Sequence, residues 1–127
     1  MLDGALTLLP NSDVCFLGAR RDEETFHPEI YMNTLPDDVD GADVIVLDPM
    51  VATGGSLLHA LRVVAASGAG TITAVSVLAS PEGVAAIESS GVDGQLFVGF
   101  VDDGLNDSAF IVPDLGDAGD RQFGKIN

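Results

Sequence analysis

Asp48, Thr53, Gly54, Gly55 and Ser56 are the residues whose types and spacing could do chemistry: a carboxylate followed, within one short span, by two hydroxyls and two residues without a Cβ. Consecutive backbone N–H groups at a helix start point positive partial charge outward, and glycine lets an anion come close to them. A carboxylate beside such an amide nest suits a sugar phosphate, because it can take sugar hydroxyls or a metal while the amides take the phosphate. A plainer reading stands beside this one, namely a tight connection between a strand and a helix. The span is not a P-loop, since no Lys follows the glycines, and it lacks the G-x-G-x-x-G dinucleotide pattern.

The elements around these residues must hold them in place. Val44 to Leu47 is an apolar, β-branched run with the character of a strand buried on both faces. Asp48 then lies at the carboxyl end of that strand, where open parallel sheets bind ligands, and Pro49 is read as stopping the sheet. Leu57, Leu58, Leu61, Val64 and Ala65 recur at helical spacing, which predicts a helix over 56–67 with Ser56 as N-cap and Gly68 at its end. Further strands are expected at 14–18, 29–35, 71–79 and 95–101, with a last extended piece at 110–112. A short helix is expected over 84–89, with Pro81 in its first turn. Residues 20–25 read as an exposed loop and Pro36-Asp37-Asp38 as a turn. The alternation predicts an α/β fold, a parallel sheet with helices on both faces, in a single domain over 1–127.

Composition narrows the partners. The 127 residues carry 20 acids against 5 bases, a formal charge of −15, with Lys125 as the single lysine. Such a surface repels nucleic-acid backbones and anionic membranes. It also repels itself, and concentrated salt screens that repulsion within a few ångström, so a halophilic source is expected. No apolar stretch approaches the roughly 20 residues of a membrane helix, and Met1-Leu2-Asp3 lacks a basic leader, so a soluble, cytoplasmic protein is expected. Cys15, between Val14 and Phe16, reads as a small core residue. Asp102, Asp103, Asn106 and Asp107 do not match an EF-hand spacing and read as a solvated turn. His27 and His59 read as surface or loop histidines.

A second segment, 110–124, sets the flexible acidic run Gly116-Asp117-Ala118-Gly119-Asp120 between apolar anchors. A loop pinned at both ends can present backbone N–H and C=O groups to a planar, uncharged base. Taken alone, it reads first as an ordinary acidic surface loop.

Four blocks in order resemble the uracil phosphoribosyltransferase family: Gly18-Ala19-Arg20-Arg21-Asp22-Glu23-Glu24-Thr25, Asp48 to Ser56, Ser80-Pro81-Glu82-Gly83, and Ile111-Val112-Pro113 through Gly124. The resemblance implies a type I phosphoribosyltransferase fold and the joining of uracil to 5-phosphoribosyl 1-diphosphate, giving UMP and diphosphate. Magnesium would be carried mainly on the diphosphate, with a homo-oligomer and GTP as an effector. Arg21, Asp48 and Asp117 match the catalytic positions. Arg21, Asp48, Pro49, Met50, Val51, Ala52, Thr53, Gly54, Gly55, Ser56 and Asp117 match those that hold the phosphoribosyl diphosphate. Ile111, Gly116, Asp117 and Ala118 match those that hold uracil, and the resemblance gives the chain no resident metal site. A guanidinium at Arg21 can pair bidentately with phosphate oxygens. Met1-Leu2-Asp3-Gly4 resembles an internal stretch of the family, so N-terminal elements are expected to be lacking. Ala19 replaces a larger, commonly aromatic residue, and Asp114 stands where the family has glycine, a backbone cost if φ is positive there. The alternative function is a non-catalytic relative that binds nucleotide as a regulatory or partner subunit.

Overall fold

The computed structural model describes residues 1–21 and 28–124. Its centre is a parallel sheet formed by β3 (Val44–Leu47), β4 (Met50–Val51), β5 (Ile72–Ala79) and β6 (Gln95–Val101). β5 lies in the middle: β3 and β4 run one after the other along one side of it, Val44 opposite Ile72 and Val51 opposite Ala79, and β6 runs along the other, with Ala74 opposite Leu96. The two crossover helices are α2 (Gly55–Ala66) and α3 (Pro81–Glu88), which pack against each other. A parallel sheet flanked by helices is therefore the architecture, although α2 and α3 share one core-bearing face where the alternation predicts helices on both faces.

Alternate residues of β5 explain which face is covered. Ile72 and Ala74 point into a core with Leu57, Leu61 and Val64 of α2, and Val46, Leu96 and Val98 pack against it from the neighbouring strands. Residues of the other phase stay open: Ile45, Val77 and Phe97 are each about half exposed. α2 ends as expected, with the Ser67 hydroxyl donating to the Val64 carbonyl at 2.8 Å and Gly68 in the left-handed region at φ +80°.

Outside the central sheet, β1 (Leu17–Arg21) and β2 (Pro28–Asn33) form an antiparallel pair beside α2. The first strand thus lies three residues further along than the apolar run at 14–18 suggests. Val14, Cys15 and Phe16 are exposed, so Cys15 is not a core residue. Pairing with β2 decides this placement, because an exposed apolar run gains little from being a strand without a neighbour. Arg20 and Arg21, expected in a loop, belong to β1, and the rest of that expected loop together with His27 lies among residues 22–27, outside the described ones. Helix α1 (Leu2–Leu8) has no strong periodic signal and was not expected. β7 (Gly104–Leu105) and β8 (Ile111–Val112) form a short antiparallel pair, and α4 (Ala118–Phe123) follows.

Candidate functional site

Three parallel strands bring their carboxyl ends to one edge of the sheet: β4 ends at Val51 and β6 at Val101, both opposite Ala79 at the end of β5, while Asp48 follows the end of β3, one short strand segment back from that edge. Asp48 is partly buried, and its N–H still donates to the Val75 carbonyl at 3.1 Å. Burial pushes its carboxyl above the usual carboxylate range, an effect only partly offset by the Met50 N–H that donates to its Oδ1.

The sheet does not stop at Pro49. Proline cannot donate, but its carbonyl accepts from Val77 at 3.2 Å, and Met50 and Val51 rejoin the ladder opposite Leu78 and Ala79. The expected stop is therefore only a change of strand segment. Ser56 is not the N-cap either. Gly54 takes that place at φ +79°, and Ser56 is the exposed second residue of α2. A left-handed N-cap starts the helix two residues earlier than a serine cap would. Among the described residues, nothing accepts from the backbone N–H groups of Thr53, Gly54, Gly55 or Ser56. Four donors are thus available together at the mouth of the loop, with the hydroxyl-bearing Thr53 and Ser56 both exposed.

The loop is braced from behind by α3. The fully buried Ser80 caps that helix, its Oγ accepting the Gly83 N–H at 2.9 Å, while the same hydroxyl donates to the Ala52 carbonyl at 2.6 Å. The Ser80 N–H donates to the Val51 carbonyl at 2.9 Å. Gly83 lies so close beneath the loop that a Cβ there would stand 2.8 Å from the Val51 carbonyl oxygen and collide with that of Ala52. A Cβ on Gly54 would in turn meet the Gly83 carbonyl oxygen at 3.0 Å. The block Ser80-Pro81-Glu82-Gly83 therefore brackets the loop, a role its position in sequence does not disclose. Serine three residues before the buried glycine, with Pro at the first helical position, was the available signal.

The second loop hangs from the same edge. Ile111 is buried, and its carbonyl accepts the Gly116 N–H at 2.7 Å, closing 111–116 into a tight turn with Gly116 at φ +63°. Asp117 is the N-cap of α4, its Oδ1 accepting the Asp120 N–H at 2.9 Å. The acidic stretch is thus half helix rather than a flexible loop, and the Asp117 to Asp120 spacing, that of an N-cap and N3, marks the start. Asp114 is exposed and is not among the described residues with positive φ, which besides glycines are Asp40 and Ala109, so its substitution for glycine carries no backbone penalty. An open hollow of about 440 Å³ lies against Phe110, Pro113, Gly116, Asp117 and Arg121.

Asp102 departs from the solvated turn expected for it. It is buried, with its N–H on the Ala79 carbonyl at 2.9 Å, Oδ1 on the Asp103 N–H at 2.8 Å and Oδ2 on the Asp114 N–H at 3.0 Å. Ala79, fully buried, is also the strand partner of Val51. One alanine thus joins the loop at 48–56 to the segment carrying Ile111, Gly116, Asp117 and Ala118. Arg21 is the last residue of β1, on the hairpin beside α2, and its side chain lies outside what is described. His59 is partly buried on α2.

The uracil phosphoribosyltransferase family profile matches residues 1–125. A uracil phosphoribosyltransferase of Corynebacterium diphtheriae is 49% identical over all 127 residues, and one of Corynebacterium glutamicum is 47% identical. The chain spans 60% of the length of each of these curated relatives. The AQ2163 protein of Aquifex aeolicus superposes with a TM-score of 0.87 at 44% identity, covering 98% of this chain and 59% of its own. A purine phosphoribosyltransferase of Pyrococcus horikoshii, with a TM-score of 0.58 at 14% identity over 83% of this chain and 71% of its own, shares the fold. With a loop of free amides behind a sheet-end carboxylate and a match along nearly its whole length, this chain belongs to the uracil phosphoribosyltransferase family.

Proposed function

We propose that the chain carries the phosphoribosyl-binding and uracil-binding parts of a uracil phosphoribosyltransferase, which joins uracil to 5-phosphoribosyl 1-diphosphate to give UMP and diphosphate. One observation carries this reading: Ala79 ties the amide-lined loop and the base loop to a single sheet edge, so a phosphate and a planar base can be held at fixed separation.

In this reading the amides of Thr53, Gly54, Gly55 and Ser56 take the 5′-phosphate, and Asp48 takes the ribose hydroxyls. Backbone groups of Ile111, Gly116 and Ala118 read the pyrimidine edge, Asp117 also reaches the phosphoribosyl group, and Arg21 pairs with the diphosphate. The bond from the anomeric carbon to the diphosphate oxygen breaks as the bond to the uracil ring nitrogen forms, and that nitrogen loses its proton. Charge builds on the leaving diphosphate and on an oxocarbenium-like sugar, so positioning and electrostatics supply the catalysis. Magnesium neutralises the diphosphate when bound. The charge of −15 supports a high-salt cytoplasm as the setting.

The test is titration of the purified chain with UMP in molar KCl, followed by NMR, and then incubation with uracil, the diphosphate donor and magnesium. UMP is expected to shift the amides of 48–56 and 111–118, and UMP is the expected product. A chain whose amides in both loops ignore UMP overturns the reading.

Asp48→Asn separates fold from function. A carboxyl raised by burial contributes stability that is full below its ordinary pKa and lost as pH rises through the higher folded value. At pH 7 its charge therefore burdens the fold, and Asp48→Asn is expected to melt no lower than the parent. Its loss of a charged acceptor for ribose hydroxyls is expected to weaken donor binding about 10- to 100-fold. Calorimetric titration with 5-phosphoribosyl 1-diphosphate alongside thermal melts at pH 5 and 7 reads both.

A further inference from the structure

The Asp114 peptide is gripped at both ends by side chains of opposite charge. Its N–H donates to Oδ2 of the buried Asp102 at 3.0 Å. Its carbonyl accepts from Nη1 of Arg121, which also donates to the Leu115 carbonyl at 3.2 Å. Arg121 is one of only five basic residues in a chain with 20 acids, yet these bonds go to backbone carbonyls. Asp102 in turn is fixed to the sheet through the Ala79 carbonyl.

We propose that Asp102 and Arg121 are positioning residues that fix the Asp114 peptide and, through it, set the place of the base loop 111–117 relative to the phosphate loop. Asp102 supplies the fixed end, since it directly follows β6 and shares Ala79 with Val51 of the phosphate loop. Arg121 supplies the adjustable end from the last turn of α4, whose N-cap is Asp117 itself. A guanidinium suits this task because it presents several donors in one plane and cannot lose its charge. The consequence is a division of labour in which base affinity depends on the pair more than phosphoribosyl affinity does, since only Asp117 of this loop also reaches the phosphoribosyl group. This inference rests on the assignment of 111–118 as the base-binding segment.

Asp102→Ala, Arg121→Ala and Arg121→Lys are compared with the parent by amide hydrogen exchange without ligand, and by titration with UMP and, separately, with 5-phosphoribosyl 1-diphosphate. Each alanine variant is expected to exchange at least tenfold faster across 111–117 while 72–79 stays as protected as in the parent. Each is expected to bind UMP about tenfold more weakly with a clearly smaller loss of donor affinity, and Arg121→Lys, which keeps donors to carbonyls, to recover most of the loss. Unchanged exchange across 111–117 in both alanine variants overturns the proposal, as does an equal loss of protection at 72–79 or an equal loss of donor binding. A parent chain that binds the donor but not UMP overturns the base-site assignment instead, because the exchange signature of the clamp is read without ligand.

Discussion

Gly83→Ala is expected to unfold the phosphate loop, lowering stability by about 3 kcal/mol and the melting temperature by about 10 °C, with donor binding weakened more than tenfold. Helix propensity alone gives the opposite sign, since alanine in place of glycine in a helix gains up to about 1 kcal/mol. The space decides. A methyl at 83 would lie 2.8 Å from the Val51 carbonyl oxygen and 2.9 Å from Val51 Cγ1, and against the Ala52 carbonyl. None of these is the free end of a flexible side chain, so relief requires the loop or α3 to move, and movement breaks the Ser80 hydroxyl bond to Ala52. Thermal melting and calorimetric titration with 5-phosphoribosyl 1-diphosphate check the result. A variant that melts at or above the parent temperature with unchanged affinity would show that the tight seat is not needed.

Asp117 carries the second large effect, and two substitutions are required to see it. As N-cap it holds the Asp120 N–H, so Asp117→Ala loses about 1 kcal/mol of helix stability whatever else the residue does. Asparagine caps nearly as well but has no charge. Asp117→Asn is therefore expected to melt within about 2 °C of the parent. Its rate of UMP formation is expected to fall about 100-fold, because a charged contact formed in the transition state is lost. Asp117→Ala should lose both activity and stability. If Asp117→Asn turns over like the parent, the carboxylate is a helix cap and nothing more, and its assigned contact with the phosphoribosyl group is wrong.

The strands over 44–47, 72–79 and 95–101 were legible because each is an apolar run long enough to cross a sheet, and Gly68 and Pro81 mark where helices end and begin. The placement of Asp48 at a strand end followed from the same pattern. What could not be read are features set by tertiary partners. Met50 and Val51 form a strand only because Leu78 and Ala79 lie opposite them. β1 is displaced from the apolar residues 14–16 because its register belongs to β2. The N-cap moved from Ser56 to Gly54 because Gly54 faces Gly83 across a gap too narrow for a side chain, and no local propensity reports a contact 29 positions away. Asp102 was misread for a related reason: an aspartate in an acidic run looks solvated until the segment it anchors, Asp114, folds back over it.

The open face of the sheet, with Ile45, Val77 and Phe97 half exposed, sets conformational and colloidal stability against each other. At low ionic strength the charge of −15 keeps molecules apart while straining each one from within. Added salt relaxes that strain, and it equally removes the barrier that keeps two such apolar faces from meeting. The conditions that best preserve the fold are thus those in which dispersion of the chain is hardest to maintain. A strongly salting-out anion such as sulfate sharpens the conflict, and chloride eases it.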